Sequence, residues 1–251
     1  MLKPVLLIRA TGNESDAAAL AELGVASLID PYLEISVSDD KYEAISLLDF
    51  LTQSHGLVWL IATSVNAIKY WAQIVGADAL KTALNARKDL RFAAIGQATA
   101  KTLTELGANH VLIPTEANSV SLATALLDFP PGIAVIPGGN LAMTELPRQL
   151  EGANWTVKTA VVYLTSRVTK EPGSAQLVRN GEIAAVLLRS PSAAQAFLAQ
   201  VSAPELPIIC AGATTAKSVA DLGIKVDAVA KDPSPATVAT AIAALLTRQD
   251  S

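Results

Sequence analysis

A chain of 251 residues is long enough for one large domain or for two of about 125. Apolar residues make up 51% and charged residues only 17%, the composition of a packed α/β protein and not of a disordered one. Lys and Arg number 19 against 23 Asp and Glu, for a net charge of −4 with no basic block, which argues against a nucleic-acid partner.

The longest apolar runs, such as Leu57–Ala62 and Ile183–Leu188, have the length of strands. A membrane span needs roughly 18–20 such residues, so no membrane association is expected. The N-terminus passes almost directly into a strand and lacks the apolar core and small-residue cleavage site of a signal peptide. A single cysteine, Cys210, suits a reducing cytoplasm.

In chain order, Val5–Arg9 reads as a buried strand and Asn13–Leu23 as a helix, capped by Asn13 or Ser15 and stopped by Gly24. Val25–Ile29 is a second strand. The proline-led stretch Pro31–Ile35 reads as an extended connector, and residues 40–53 as a helix. Three strand–helix units follow, with strands at Leu57–Ile61, Arg91–Ile95 and Val111–Ile113 and the last helix capped by Asn118 or Ser119. Ile133–Ile136 is a strand, Pro137-Gly138-Gly139-Asn140 a loop, and a helix runs to about Leu150. Trp155–Val162 continues as strand into Tyr163. After a helix at 174–180 come three more units, with strands at Ala184–Leu188, Pro207–Cys210 and Lys225–Val229. Alternating strands and helices predict parallel sheets with right-handed crossovers.

One stretch occurs twice. GQATAKTLTELG at 96–107 and GATTAKSVADLG at 212–223 share six of twelve residues, and each follows an apolar run. Each reads as strand, glycine turn and a helix closed by a glycine. A second echo sets Gly12-Asn13 against Gly139-Asn140, each just after a strand. The last three units therefore lack a βαβ that residues 5–29 supply. The chain is expected to start one five-stranded domain, residues 1–35 plus 168–251. It builds a second, inserted five-stranded domain at 38–162, with 31–37 and 161–168 as a two-stranded hinge beside a cleft.

Open α/β sheets bind ligands beyond the carboxyl ends of their strands. Those ends carry Arg9, Thr63, Ser64, Asn66, Gly96, Thr99, Gly138, Gly139, Ser190, Ser192, Thr214 and Thr215. Hydroxyls and glycines at helix N-termini favour anions, so these are candidate substrate-binding residues. The same serines also suit ordinary N-caps and the glycines ordinary turns. No dinucleotide, Walker A, HExxH or CxxC motif is present, so no metal and no cofactor are expected. His55 and His110 precede strands and are read as surface residues, Cys210 as inert core, and Trp59 and Trp71 as packing. Tyr163 ends the return strand at the hinge. A phenol titrating near 10 is protonated at neutral pH and can act as a general acid, although packing of the linker is the other reading. Tyr32, on the outgoing connector, is a weaker candidate.

Taken in order, Thr63-Ser64-x-Asn66-Ala67, Ala94-Ile95-Gly96-x-Ala98-Thr99-Ala100, Val162-Tyr163, Ser190-Pro191-Ser192-Ala193 and Gly212-x-Thr214-Thr215-Ala216 resemble the uroporphyrinogen-III synthase family over essentially the whole chain. The resemblance implies two flavodoxin-like α/β domains joined by a two-stranded linker. It implies a cofactor-free lyase of tetrapyrrole (haem) biosynthesis. Hydroxymethylbilane, a linear tetrapyrrole with eight carboxylates, would lose its terminal hydroxyl to give an azafulvene. A spiro intermediate would then invert the last ring, yielding uroporphyrinogen III and water. On that resemblance Tyr163 protonates the departing hydroxyl, and Thr99, Thr215, Ser64 and Ser190 meet the substrate carboxylates. A monomer that receives substrate from hydroxymethylbilane synthase is expected. Arg9 is kept, without the proline that often follows it in the family. Pro137–Asn140 lacks an expected arginine, and Arg189 stands where a threonine is usual, facing either the substrate or solvent. The competing readings are a non-catalytic two-domain cytoplasmic binding protein for a small polyanion, and a different cofactor-free lyase or isomerase.

Overall fold

The first strand, β1 (Val5–Leu7), is buried at every residue, as a continuous apolar run must be when both faces of a parallel sheet are covered. The computed structural model describes residues 3–141, 144–202 and 204–249. After β1 come α1 (Glu14–Glu22), β2 (Ser27–Ile29), β3 (Leu33–Val37) and α2 (Lys41–Gln53). Three strand–helix units follow: β4 (Val58–Ala62) with α3 (Val65–Val75) and α4 (Ala77–Ala86), β5 (Arg91–Ala94) with α5 (Gln97–Glu105), and β6 (Val111–Leu112) with α6 (Ser119–Leu127). Then come β7 (Ile133–Gly139), α7 (Glu145–Gly152) and the long β8 (Thr156–Arg167). The chain closes with α8 (Gly173–Arg179), β9 (Ala185–Leu188) with α9 (Pro191–Gln200), β10 (Ile208–Cys210) with α10 (Ala213–Asp221), and β11 (Ala228–Val229) with α11 (Pro235–Gln249).

The chain divides into two compact units, residues 1–34 with 166–251, and residues 35–165. In the first, the sheet order is β11-β10-β9-β1-β2, with each neighbouring pair parallel. Side chains alternate between its faces. Leu6, Ile8, Val186, Leu188 and Phe197 form one core, and Val5, Leu7, Leu187, Val238 and Ile242 the other.

The second sheet has the order β3-β8-β7-β4-β5-β6. Its β7, β8, β4, β5 and β6 correspond in order to β1, β2, β9, β10 and β11, which is the permuted duplication the two repeats implied. Here too there are two cores, one around Leu60, Phe92, Trp71 and Leu103, the other around Trp59, Ile61, Leu122 and Ile136. Trp71 is buried with its indole N–H donating to Ala44 O at 2.8 Å.

This sheet differs from expectation in having a sixth strand. The stretch that reads as a connector contains β3, which lies at the sheet edge beside β8. Leu33-Glu34-Ile35-Ser36-Val37 alternates apolar and polar residues, and its exposure alternates with it, as in a strand with one covered face. Its continuation is anchored where Ser38 N donates to Val162 O at 3.1 Å. Tyr32, just before it, is also not what was expected. Its ring is 1% exposed against Phe197, and its hydroxyl lies 3.0 Å from Ser174 Oγ in the core of the first unit. Burial raises its pKa, and it is a core tyrosine.

Candidate functional site at the carboxyl ends of the strands

Each sheet reverses its winding once, between β1 and β9 in the first unit and between β7 and β4 in the second. A doubly wound sheet opens a crevice at such a point, because the following connections leave on opposite faces. The candidate residues of each unit gather at the carboxyl ends of the strands.

In the second unit β4 ends at Ala62 and the chain turns through Thr63 into α3. Ser64 is the N-cap: its extended backbone (φ −164°, ψ 157°) lets its hydroxyl accept from Ala67 N at 3.0 Å. The same oxygen lies 3.3 Å from the Tyr163 hydroxyl, and either group can donate. The Tyr163 ring stacks on Tyr70 of α3, centroids 5.8 Å apart and planes 30° apart, while Tyr70 OH donates to Ile35 O. Tyr163 is half-buried. Tyr70 was missed because an aromatic residue on an amphipathic helix reads as ordinary packing. Nothing in the sequence pairs it with residue 163.

Gly138 and Gly139 do not form the expected loop at a helix N-terminus. β7 runs through both, they are buried, and α7 starts only at Glu145. A Cβ added to Gly139 would overlap the Tyr163 ring. Gly138 pairs with Val161 but Gly139 with Tyr163, so Val162 is an extra residue on β8. Such a bulge turns the strand locally and re-aims the next side chain.

The twin stretches adopt the same local structure. Gly96 and Gly212 are extended N-caps without a side-chain cap, at φ −173° and −175°. The first bonds inside the helices are Ala100 N to Gly96 O and Ala216 N to Gly212 O, leaving the preceding N–H groups open. Thr99 and Thr215 are both third in their helices and both 4% exposed, and neither hydroxyl has a hydrogen-bond partner among the described residues. The side chains of Thr63, Asn66 and Thr214 are likewise unpartnered there. Both helices close on a left-handed glycine, Gly107 and Gly223, with Ala108 N donating to Leu103 O and Ile224 N to Val219 O.

At the crevice of the first unit, Ser190 caps α9, its hydroxyl accepting from Ala193 N at 3.2 Å, with Ser192 Oγ 3.0 Å away. Arg189 does not point to solvent, and its donors are taken up within the protein. Its guanidinium makes a two-point pair with Asp16, Nε to Oδ2 at 2.6 Å and a second bond to Oδ1, and donates to Pro233 O at 2.7 Å. The pair is nearly buried, at 10% and 2% side-chain exposure. Arg9, by contrast, has no hydrogen bond or ion pair for its half-buried guanidinium among the described residues. Burial lowers its pKa and the charge of Arg189 lowers it further, with Asp16 and Glu14 opposing. A desolvated cation without a partner is a place where an anion would be gained at little competition from water. Asn13 does not cap α1 as expected. It has helical backbone angles, and its carboxamide bonds both backbone groups of Arg9.

His55 and His110 are exposed at the other end of the second sheet, and Cys210 is buried, its thiol pushed up to about 11 by burial. At that same end, a cavity of about 1090 Å³ is lined by Trp59, Arg91, His110 and Phe129, and none of the candidate site residues lines it. Trp59 packs there on Phe129 at 4.9 Å with Arg91 over its ring. Among the described residues no helix is long and apolar enough to cross a membrane, and no group of three or more side chains could hold a metal ion.

The topology and these sites define an α/β protein of two doubly wound, largely parallel sheets, with helix N-termini, hydroxyls and an arginine unpaired among the described residues collected at their carboxyl ends. A family model described as uroporphyrinogen-III synthase HemD matches residues 14–239. The chain belongs to the uroporphyrinogen-III synthase family. The activity is that of a cofactor-free lyase with hydroxymethylbilane as its substrate. Among solved structures, a mutant uroporphyrinogen III synthase from the extremely thermophilic bacterium Thermus thermophilus is 17% identical with a TM-score of 0.64, covering 97% of this chain and 99% of that one. Uroporphyrinogen-III synthetase from Helicobacter pylori is 19% identical with a TM-score of 0.62, covering 94% and 96%. At these identities the likeness is one of fold. No curated protein matches the chain.

Proposed function

We propose that Tyr163 is the general acid of the synthase reaction, and that the carboxyl-end groups of both sheets bind the substrate's carboxylates. The observation that carries this is the 3.3 Å approach of the Tyr163 and Ser64 hydroxyls at the N-terminus of α3. Ser64 already accepts from Ala67 N, so its own proton is free to go to the phenol oxygen. That leaves the Tyr163 proton for the substrate.

The proton goes to the terminal hydroxyl of hydroxymethylbilane as the C–O bond breaks and water leaves. Electrons from the pyrrole nitrogen fill the vacancy and give the azafulvene in its protonated, azafulvenium form. The far pyrrole attacks, the spiro intermediate opens and recloses, and the phenolate recovers a proton when the last pyrrole regains aromaticity. Donation from Ser64 and the positive end of α3 stabilise the transient phenolate. Acid assistance of this kind is worth about 10²–10⁴-fold.

Arg9, the open N-termini at Gly96 and Gly212, and the hydroxyls of Thr63, Thr99, Ser190, Ser192, Thr214 and Thr215, with the Asn66 amide, take up carboxylates. Holding the chain for the inverted closure is catalysis by orientation. Gly139 serves by giving the Tyr163 ring its space. The two units are read as flavodoxin-like domains, residues 1–35 with 168–251 and residues 38–162, linked through 31–37 and 161–168. The enzyme is read as a cytoplasmic monomer supplied by hydroxymethylbilane synthase. A lone buried cysteine suits that compartment.

The test is direct. Hydroxymethylbilane is generated in situ, the protein is added, and the oxidised porphyrins are separated by isomer. Type III product is expected; type I product alone would overturn the reading.

A further inference from the structure

The echo of Gly12-Asn13 in Gly139-Asn140 is not accounted for by substrate binding. The two asparagines do the same unusual thing. Asn140 stands one residue beyond β7, where pairing with β8 would otherwise stop. Its backbone N–H donates to Tyr163 O at 3.3 Å. Its Oδ1 accepts from Thr165 N at 2.8 Å, and its Nδ2 donates to Thr165 O at 3.3 Å. The carboxamide thus imitates one more residue of ladder, carrying both a donor and an acceptor in the plane that a strand neighbour would present. Asn13 does this to the backbone of Arg9, accepting from its N–H at 3.1 Å and donating to its carbonyl at 2.8 Å. In each unit, one asparagine grips the backbone at or beside the residue to which the reaction assigns a charge or a proton.

The grip matters most at Tyr163. The bulge at Val162 relaxes the register just before it, and Gly139 offers the ring space but no side chain to hold it. Past Gly139 no strand of β7 remains, and among the described residues β8 is held on that edge only through Asn140, with β3 on its other edge. The Asn140 carboxamide fixes both polar groups of Thr165, two residues beyond Tyr163, while the backbone N–H of residue 140 meets the Tyr163 carbonyl.

We propose that Asn140 is a positioning residue: through the backbone of β8 it holds the Tyr163 hydroxyl at Ser64, in the geometry that proton donation needs. This rests on the reading of Tyr163 as the acid. A purely structural role would cost stability and leave the chemistry alone. Asn140 is exposed, so the stability it adds is small, whereas a displacement of the donor by about an ångström can cost up to 10²-fold in rate.

The experiment is a double-mutant cycle on the full chain, with Asn140→Ala, Tyr163→Phe and the pair, reading kcat, KM and melting temperature. Asn140→Ala is expected to lower kcat about tenfold or more, with KM changed less than about twofold and the melting point lowered by no more than about 2–4 °C. In the Tyr163→Phe background the same change should cost nothing further, because the group it positions is gone. Asn140→Asp, nearly the same shape but with an acceptor against Thr165 O, should also lower kcat, and it keeps the cycle open if the alanine variant folds poorly. Full kcat in Asn140→Ala or Asn140→Asp, or equal losses in both backgrounds, overturns the proposal. Full kcat in Tyr163→Phe alone removes the acid assignment, and the positioning role with it. Those failures are distinguishable because only the last leaves the Tyr163 variant active.

Discussion

Gly139 lies directly across the sheet from Tyr163, and the phenol ring occupies the space that any side chain at position 139 would fill. The seat of the proposed acid is therefore defined by an absence on the neighbouring strand as much as by its own bonds. Gly139→Ala must push the ring off Ser64 or move the strands apart. Overpacking of this kind costs about 1–3 kcal/mol, and kcat should fall by about tenfold or more. Chemical denaturation and initial rates check the two parts. A variant with wild-type rate would mean the ring has slack in its seat.

Arg189 and Asp16 make a two-point pair that is almost out of solvent. Breaking it from one side strands a buried charge, at a cost of about 3–5 kcal/mol. Arg189→Met should lower the melting temperature by several degrees, and restoring neutrality with Asp16→Asn in the same chain should recover part of the loss. If Arg189→Met melts like wild type and instead raises KM, then Arg189 touches substrate after all.

Thr99 and Thr215 are buried, yet their hydroxyls are unpartnered among the described residues. Thr99→Val and Thr215→Val keep shape and remove only the oxygen. No internal hydrogen bond is lost, so stability should hold within about 1 kcal/mol while KM rises several-fold. Arg9→Gln, which removes an unpaired cation, should raise KM about tenfold. Unchanged KM in all three variants would take these groups out of the substrate site.

Cys210 is buried in β10, and burial alone raises its thiol to about 11. Burial disfavours the charged form, so below that value the native protein holds a thiol, not the reactive thiolate. At about pH 8, near the ordinary thiol pKa, a thiol reagent should modify the native chain slowly and the denatured chain at once. Fast native labelling would contradict the packing described for this strand.

Much of the fold was legible because its signals are local. Apolar runs such as Val58–Ala62 and Ala185–Leu188 mark strands, and Gly107 and Gly223 mark helix ends whose left-handed backbone favours glycine. Ser64 and Ser190 were legible as N-caps for the same reason. What was not legible depends on partners far away in sequence. Arg189 and Asp16 are 173 residues apart, and no single sequence says that they meet. Pro137-Gly138-Gly139 looks like a turn, and only the ring of Tyr163 explains why a strand carries it. β3 was overlooked because the proline before it suggested a connector, although its alternation was visible. Asn13 and Asn140 follow glycines after strands, a position that suits helix caps and anion loops. Their use as backbone clamps shows only when the strands lie side by side.

The proposed reaction turns on the proton of Tyr163. The most direct measurement is the turnover of Tyr163→Phe on freshly generated hydroxymethylbilane, with product isomers resolved and folding checked by melting. The variant should fold normally, form type III product at least about 10²-fold more slowly than wild type, and let the spontaneous type I isomer dominate. A folded variant that makes type III product at the wild-type rate would contradict the assignment and leave Tyr163 a packing residue beside Tyr70.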